Sequence, residues 1–159
     1  MAVTFKQVVE VLDPDEPEYA SAATLGPDAL PHLRTLIEGD DRAMASKAVV
    51  LAGRIPGERS AELLSLAAGS REPAVRVAVA FAARNLPETV REDLLLRLLE
   101  DPDLGVRKFA LKAVPRTVSP AVRTKVSALS ESEEQPALRE LSRAIIARSG
   151  RSDRRPRPS

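Results

Sequence analysis

The chain has 159 residues, with 24 Lys and Arg against 23 Asp and Glu for a formal net charge of +1, and 43% hydrophobic against 30% charged residues. That is the composition of one globular domain rather than of a disordered chain. The lack of cysteine excludes disulfides and thiolate chemistry, the single histidine, His32, excludes a histidine-rich metal site, and aromatics at 3% with no Trp leave few stacking platforms.

The first element in chain order is residues 3–12, whose Phe5, Val8, Val9 and Leu12 give a helix with one apolar face. A turn over DPDEPE and a short second helix over EYASAATLG follow, so residues 1–24 are expected to be a degenerate capping pair. The start has no apolar segment of the secretory kind, and a cytoplasmic location is expected. Beyond it, Pro27, Pro56, Pro73, Pro87, Pro102, Pro120 and Pro136 cut the chain into short apolar-periodic segments. Proline is disfavoured inside a helix and tolerated in its first turn, so this spacing predicts a series of short helices. First helices are expected over 28–38, 58–69, 88–100 and 120–130, and second helices over 43–55, 74–86, 104–116 and 137–148.

The second helices share a register. Ala45, Arg76, Arg107 and Arg139 follow one another at 31, 31 and 32 residues, and the positions one before and three, six and seven after each are apolar or small. Those offsets fall on one stripe of a helix, so each second helix buries an equivalent face. The fold class expected is all α, a solenoid of four helix pairs over 25–57, 58–88, 89–120 and 121–150, ending in a basic disordered tail at 151–159.

Residues 94–114, LLLRLLEDPDLGVRKFALKAV, resemble a bacterial HEAT repeat, with an apolar helix, a D-P-D turn and V-R opening the second helix; residues 75–83, VRVAVAFAA, echo its second half. The period is similar to that of the compact HEAT-like repeats of the phycobilin-lyase type. The resemblance implies a right-handed α-solenoid with second helices on the concave side. It also implies a polar ladder between repeats, for which Arg76, Asp101, Asp103, Arg107, Glu133 and Arg139 are the candidates. Ala45 stands where the first rung's arginine belongs, so the ladder should stop there.

Nothing in the sequence supplies catalytic chemistry. His32 follows Pro31 and reads as a surface residue, and the paired carboxylates sit in turns or near helix starts, where capping accounts for them. Phosphate-loop, dinucleotide, zinc-protease and EF-hand patterns are absent. No metal or cofactor is expected, and no chromophore pocket of the lyase kind is recognisable. Charge is informative once sorted by helix. The second helices hold eleven basic residues against Glu140, whereas the first hold six basic against eight acidic. A dipole effect at helix ends accounts for Arg54, Arg84, Arg116 and Arg148. The candidate binding residues are Lys47, Val50, Phe81, Arg84, Lys108, Lys112, Arg116 and Arg143. The expected function is a non-enzymatic, monomeric adaptor or scaffold that binds an acidic protein or peptide in a basic concave groove. The alternative is nucleic-acid binding by the same groove with the Arg-rich tail.

Overall fold

The computed structural model describes residues 2–152, and among these there is no strand. Helix α1 (Phe5–Leu12) starts at a reciprocal cap: Thr4 Oγ1 accepts from the Gln7 N–H at 3.2 Å and Gln7 Oε1 from the Thr4 N–H at 2.8 Å. The short α2 (Tyr19–Ala22) and two 3-10 turns lead into the repeats. The pairs are then α3 (Leu30–Glu38) with α4 (Arg42–Ala52), α5 (Glu58–Ala68) with α6 (Pro73–Ala82), α7 (Glu88–Leu98) with α8 (Leu104–Ala113), and α9 (Pro120–Ser132) with α10 (Pro136–Ser152). Prolines open α6, α9 and α10, and Asp41, Asp103 and Ser119 cap α4, α8 and α9 by accepting the backbone N–H three residues on. Helix α10 continues through Ser152, past the expected start of the tail. Residues 153–159, where the rest of the tail falls, lie outside the described residues.

The four pairs make the two layers of an all-helical, HEAT-like solenoid. Every stripe position read from the register is buried, except Met44 and Ile146, which are half-buried. Second helices α4, α6 and α8 pack on one another more closely than first helices α3, α5 and α7 do, which sets them on the inner side of the curve. Small residues allow this approach: Ala45, Ala48 and Ala52 on α4 and Ala78, Ala82 and Ala83 on and after α6 are all buried. At Gly53 a Cβ would fall 2.8 Å from the Ala82 Cβ, so no larger residue fits without moving the helices apart. Leucines from both layers, among them Leu33, Leu64, Leu95, Leu98 and Leu111, fill the space between them.

One edge, where first helices turn into second helices, carries the ladder. Arg76 holds the Asp101 carboxylate through two N–H groups at 2.7 and 3.0 Å and donates a third to the Ser70 carbonyl of its own turn at 2.7 Å. Arg107 repeats the pattern one unit on, with both contacts to Glu133 at 3.1 Å and a third N–H to the Asp101 carbonyl at 3.0 Å. Arg139 donates to the Glu133 carbonyl at 3.3 Å. Asp103 is no rung, because its carboxylate is taken up in capping α8. At the first repeat Arg42 reaches Glu72 at 3.4 Å, but this pair is exposed, whereas the Asp101 and Glu133 side chains are 7% and 6% exposed. Burial alone would raise the Glu133 carboxyl; hydrogen bonds from Arg107 and from the Gln135 and Glu134 N–H groups outweigh it and hold it below its ordinary value.

Two predictions follow from the burial of the rungs. Arg76→Ala strands the buried Asp101 and should cost about 2–4 kcal/mol by chemical denaturation, whereas Arg42→Ala should stay within about 0.5 kcal/mol. Glu133 is more acidic folded than unfolded, so its contribution is complete at neutral pH. It declines as the pH drops below the ordinary value of 4.5 and vanishes as the pH passes the folded value. The stability gap between the wild type and Glu133→Gln should close over that acid range; a gap constant down to pH 3 would show that the rung carries no charge.

Candidate functional site

Most large apolar side chains are buried, which makes the exceptions on the inner layer informative. Phe81 on α6 is 46% exposed and Phe109 on α8 is 42% exposed. Each carries a cation over its ring, with the Arg84 guanidinium 5.4 Å from the Phe81 centroid and the Lys112 ammonium 5.5 Å from that of Phe109. Arg84 also donates to the Lys112 carbonyl at 3.5 Å, so the two aromatic–cation pairs form one connected patch across α6 and α8. Lys108 is exposed one helical turn before Lys112 and extends the patch along α8.

The candidate binding residues therefore divide. Phe81, Arg84 and Lys112 come together, Lys108 adjoins them, and Arg116 lies just beyond the end of α8, where it shares a cavity with Arg84 and Lys112. Arg143 is exposed on α10 and does not line the cavity that Arg84, Lys112 and Arg116 share. Two candidates are corrected. Val50 is only 9% exposed, and Lys47 donates to the Pro14 carbonyl at 2.7 Å. The cause is common to both: α1 and α2 pack on α4 and cover the face that stays open in α6 and α8. Phe109 was missed. Its equivalent in the preceding repeat is Ala78, and a large aromatic in place of a small residue at one register position is the signal that marks it. His32 is half-buried and donates from Nε2 to the Val3 carbonyl at 2.8 Å, which ties the capping segment to α3.

The edge opposite the ladder, where second helices lead into first helices, is open. A groove of about 1000 Å³ lies there between residues 53–58 and 85–90, with Ile55, Pro56, Leu86, Pro87 and Val90 giving it an apolar lining. Next to it a cavity of about 270 Å³ opens at the end of α8. Among the described residues no group of acids or histidines is placed to hold a metal ion, and no helix is long and apolar enough to cross a membrane.

No protein-family model matches the chain, and no curated protein matches its sequence. Among solved structures it is similar to a chain in the complex of CpcE and CpcF of phycocyanin lyase from Nostoc sp. PCC7120. The identity is 21%, the match covers 89% of this chain and 96% of that one, and the TM-score is 0.64. The shared fold is the HEAT-like solenoid of the phycobilin-lyase type. The likeness corrects the expectation of a non-enzymatic adaptor or scaffold, since the similar chain comes from a lyase complex.

The exposed setting of Phe81 predicts that Phe81→Ala lowers stability by about 1 kcal/mol, against the roughly 3–5 kcal/mol of a core phenylalanine. Lys47→Ala should instead loosen the capping segment, seen as faster limited proteolysis between residues 12 and 18; an unchanged cleavage rate would return Lys47 to the open face.

Proposed function

We propose that this chain is one subunit of a lyase-type enzyme assembly and that it docks a second protein across the α6–α8 face. The observation that carries this reading is the connected patch of Phe81, Arg84, Lys112 and Phe109. Two half-exposed aromatics with cations on their rings match the anchors that dominate protein interfaces, and solvent gives them no other use. The likeness to a chain from a two-protein lyase complex supports both the class of assembly and a partner that is itself a protein. Arg84 and Lys112 lie on the aromatic rings and Lys108 is exposed beside Lys112, so the partner surface is apolar at its centre and acidic at its rim. Catalysis belongs to the pair: the apolar groove beside residues 53–58 and 85–90 supplies this chain's wall of the site, and the docked protein supplies the rest.

The test is site-specific photo-crosslinking in the native cell, with a benzophenone side chain at position 81 or 109 and, as a control, at Leu66, which is 40% exposed on α5 in the outer layer. One discrete protein adduct is expected from 81 and 109 and none from 66. Lys108→Glu with Lys112→Glu should weaken the isolated pair by about tenfold or more, mainly by slowing association. The reconstituted pair should carry out an elimination or addition that neither protein performs alone. A chain that stays monomeric, with no adduct from 81 or 109, contradicts the reading.

A further inference from the structure

The smaller cavity at the open edge has a composition that docking on the α6–α8 face does not account for. Five cations line it: Arg84 after α6, Arg91 on α7, Lys112 on α8, Arg116 in the following turn and Arg148 on α10. The remaining wall is the segment 113–115, and no acidic side chain lines the cavity. Cations gather at helix C-termini because the last carbonyls are free, and two of the five do answer that need. Arg84 donates one N–H to the Lys112 carbonyl, and Arg148 donates one to the Val114 carbonyl at 2.6 Å. A guanidinium has five N–H donors, so most of theirs stay unused. Arg91 and Arg116 have no ion pair or side-chain hydrogen bond among the described residues, and neither serves the α8 terminus. Arg91 also borders a neighbouring cleft that holds Glu88 and Glu92, yet pairs with neither. Four separate parts of the chain thus bring like charges around about 270 Å³, an arrangement that favours an anion between them.

We propose that this cavity is a binding site for the pyrophosphate group of a small molecule. Four of the five cations are arginines, whose planar forks match phosphate oxygens two at a time, and five positive charges exceed what a single carboxylate or phosphate can answer. The site shares Arg84 and Lys112 with the docking patch, whereas Arg91, Arg116 and Arg148 take no part in docking, so variants at Arg91 and Arg116 test it separately from that reading. It is tested on the full chain by isothermal titration calorimetry at fixed ionic strength, with pyrophosphate, orthophosphate and a hexaglutamate peptide as probes. Pyrophosphate should bind one to one and about tenfold or more tighter than orthophosphate. Arg91→Gln with Arg116→Gln should weaken it by about tenfold or more, and Arg59→Gln, on the exposed face of α5, should leave it unchanged. Circular dichroism confirms the fold of each variant, and Arg116→Gln alone, at an exposed position, serves if the double variant melts early. Absence of saturation at millimolar pyrophosphate, or equal weakening by Arg59→Gln, overturns the site. Tighter binding of the peptide than of pyrophosphate, lost in the same variants, overturns it in favour of an acidic protein segment.

Discussion

A half-buried guanidinium held between two consecutive turns sets the geometry of this molecule. Arg76 and Arg107 each reach back to a carbonyl of their own turn and forward to the carboxylate of the next. Both ends are fixed by hydrogen bonds of defined direction, so the rung specifies the distance and the rotation between repeats, which apolar packing alone leaves adjustable. The Asp101 and Glu133 carboxylates are themselves held by backbone N–H groups, of Asp103 and Gln135, so the acceptors are as well placed as the donors. Removing one partner leaves a charge in a nearly closed place, and this makes the rung a stricter constraint than any single leucine of the core.

That constraint acts on one edge only. On the ladder edge the turns are stitched together; on the other edge the chain passes from second to first helices through 53–57, 83–87 and 114–119, and no comparable rung joins these segments among the described residues. The grooves lie there. Close approach of α4, α6 and α8 through alanine and glycine brings the inner layer together, and the bulk of Phe81 and Phe109, which finds no room between such helices, is turned to solvent. Tight inner packing and an exposed aromatic pair are thus two results of one choice of small residues.

The helical repeat was legible because its signals are local and redundant. Proline sits at helix starts, aspartate and serine at caps, and the buried stripe recurs at a fixed offset, so errors in one unit are corrected by the next. The rungs were legible for the same reason, since Arg76 and Arg107 occupy one register position, and Ala45 marked where the series ends. The site was less so. Phe81 and Val50 stand at the same register position, five after Arg76 and Ala45, and read alike in the sequence, but the register does not show that α1 and α2 cover α4 and that Lys47 is spent on the Pro14 carbonyl. Phe109 sits at an offset that reads as inward-facing in Ala78, and only the packing of α8 shows that the ring points out. Arg84, Arg116 and Arg148 were explained one at a time by the helix dipole, an explanation that holds for each alone and misses their convergence with Arg91, a residue 57 positions before Arg148 in the chain.

Arginine has two opposite uses here, and the difference is made by the partner that the fold supplies rather than by the residue. On the ladder edge Arg76 and Arg107 are met by carboxylates inside the molecule, so their charge is consumed in fixing the repeat. On the open edge Arg84, Arg91, Arg116 and Arg148 are met by no carboxylate, Arg84 by a carbonyl and the Phe81 ring and Arg148 by a carbonyl, and their charge is left to act on what approaches from outside. A net charge of only +1 conceals this division, because acids are concentrated in the first helices and turns, where the ladder uses two of them. The molecule is rigid where its charges are paired and receptive where they are not, and both properties come from repeated placement of one side-chain type, at 31 residues for Arg76 and Arg107 and at 32 for Arg84, Arg116 and Arg148.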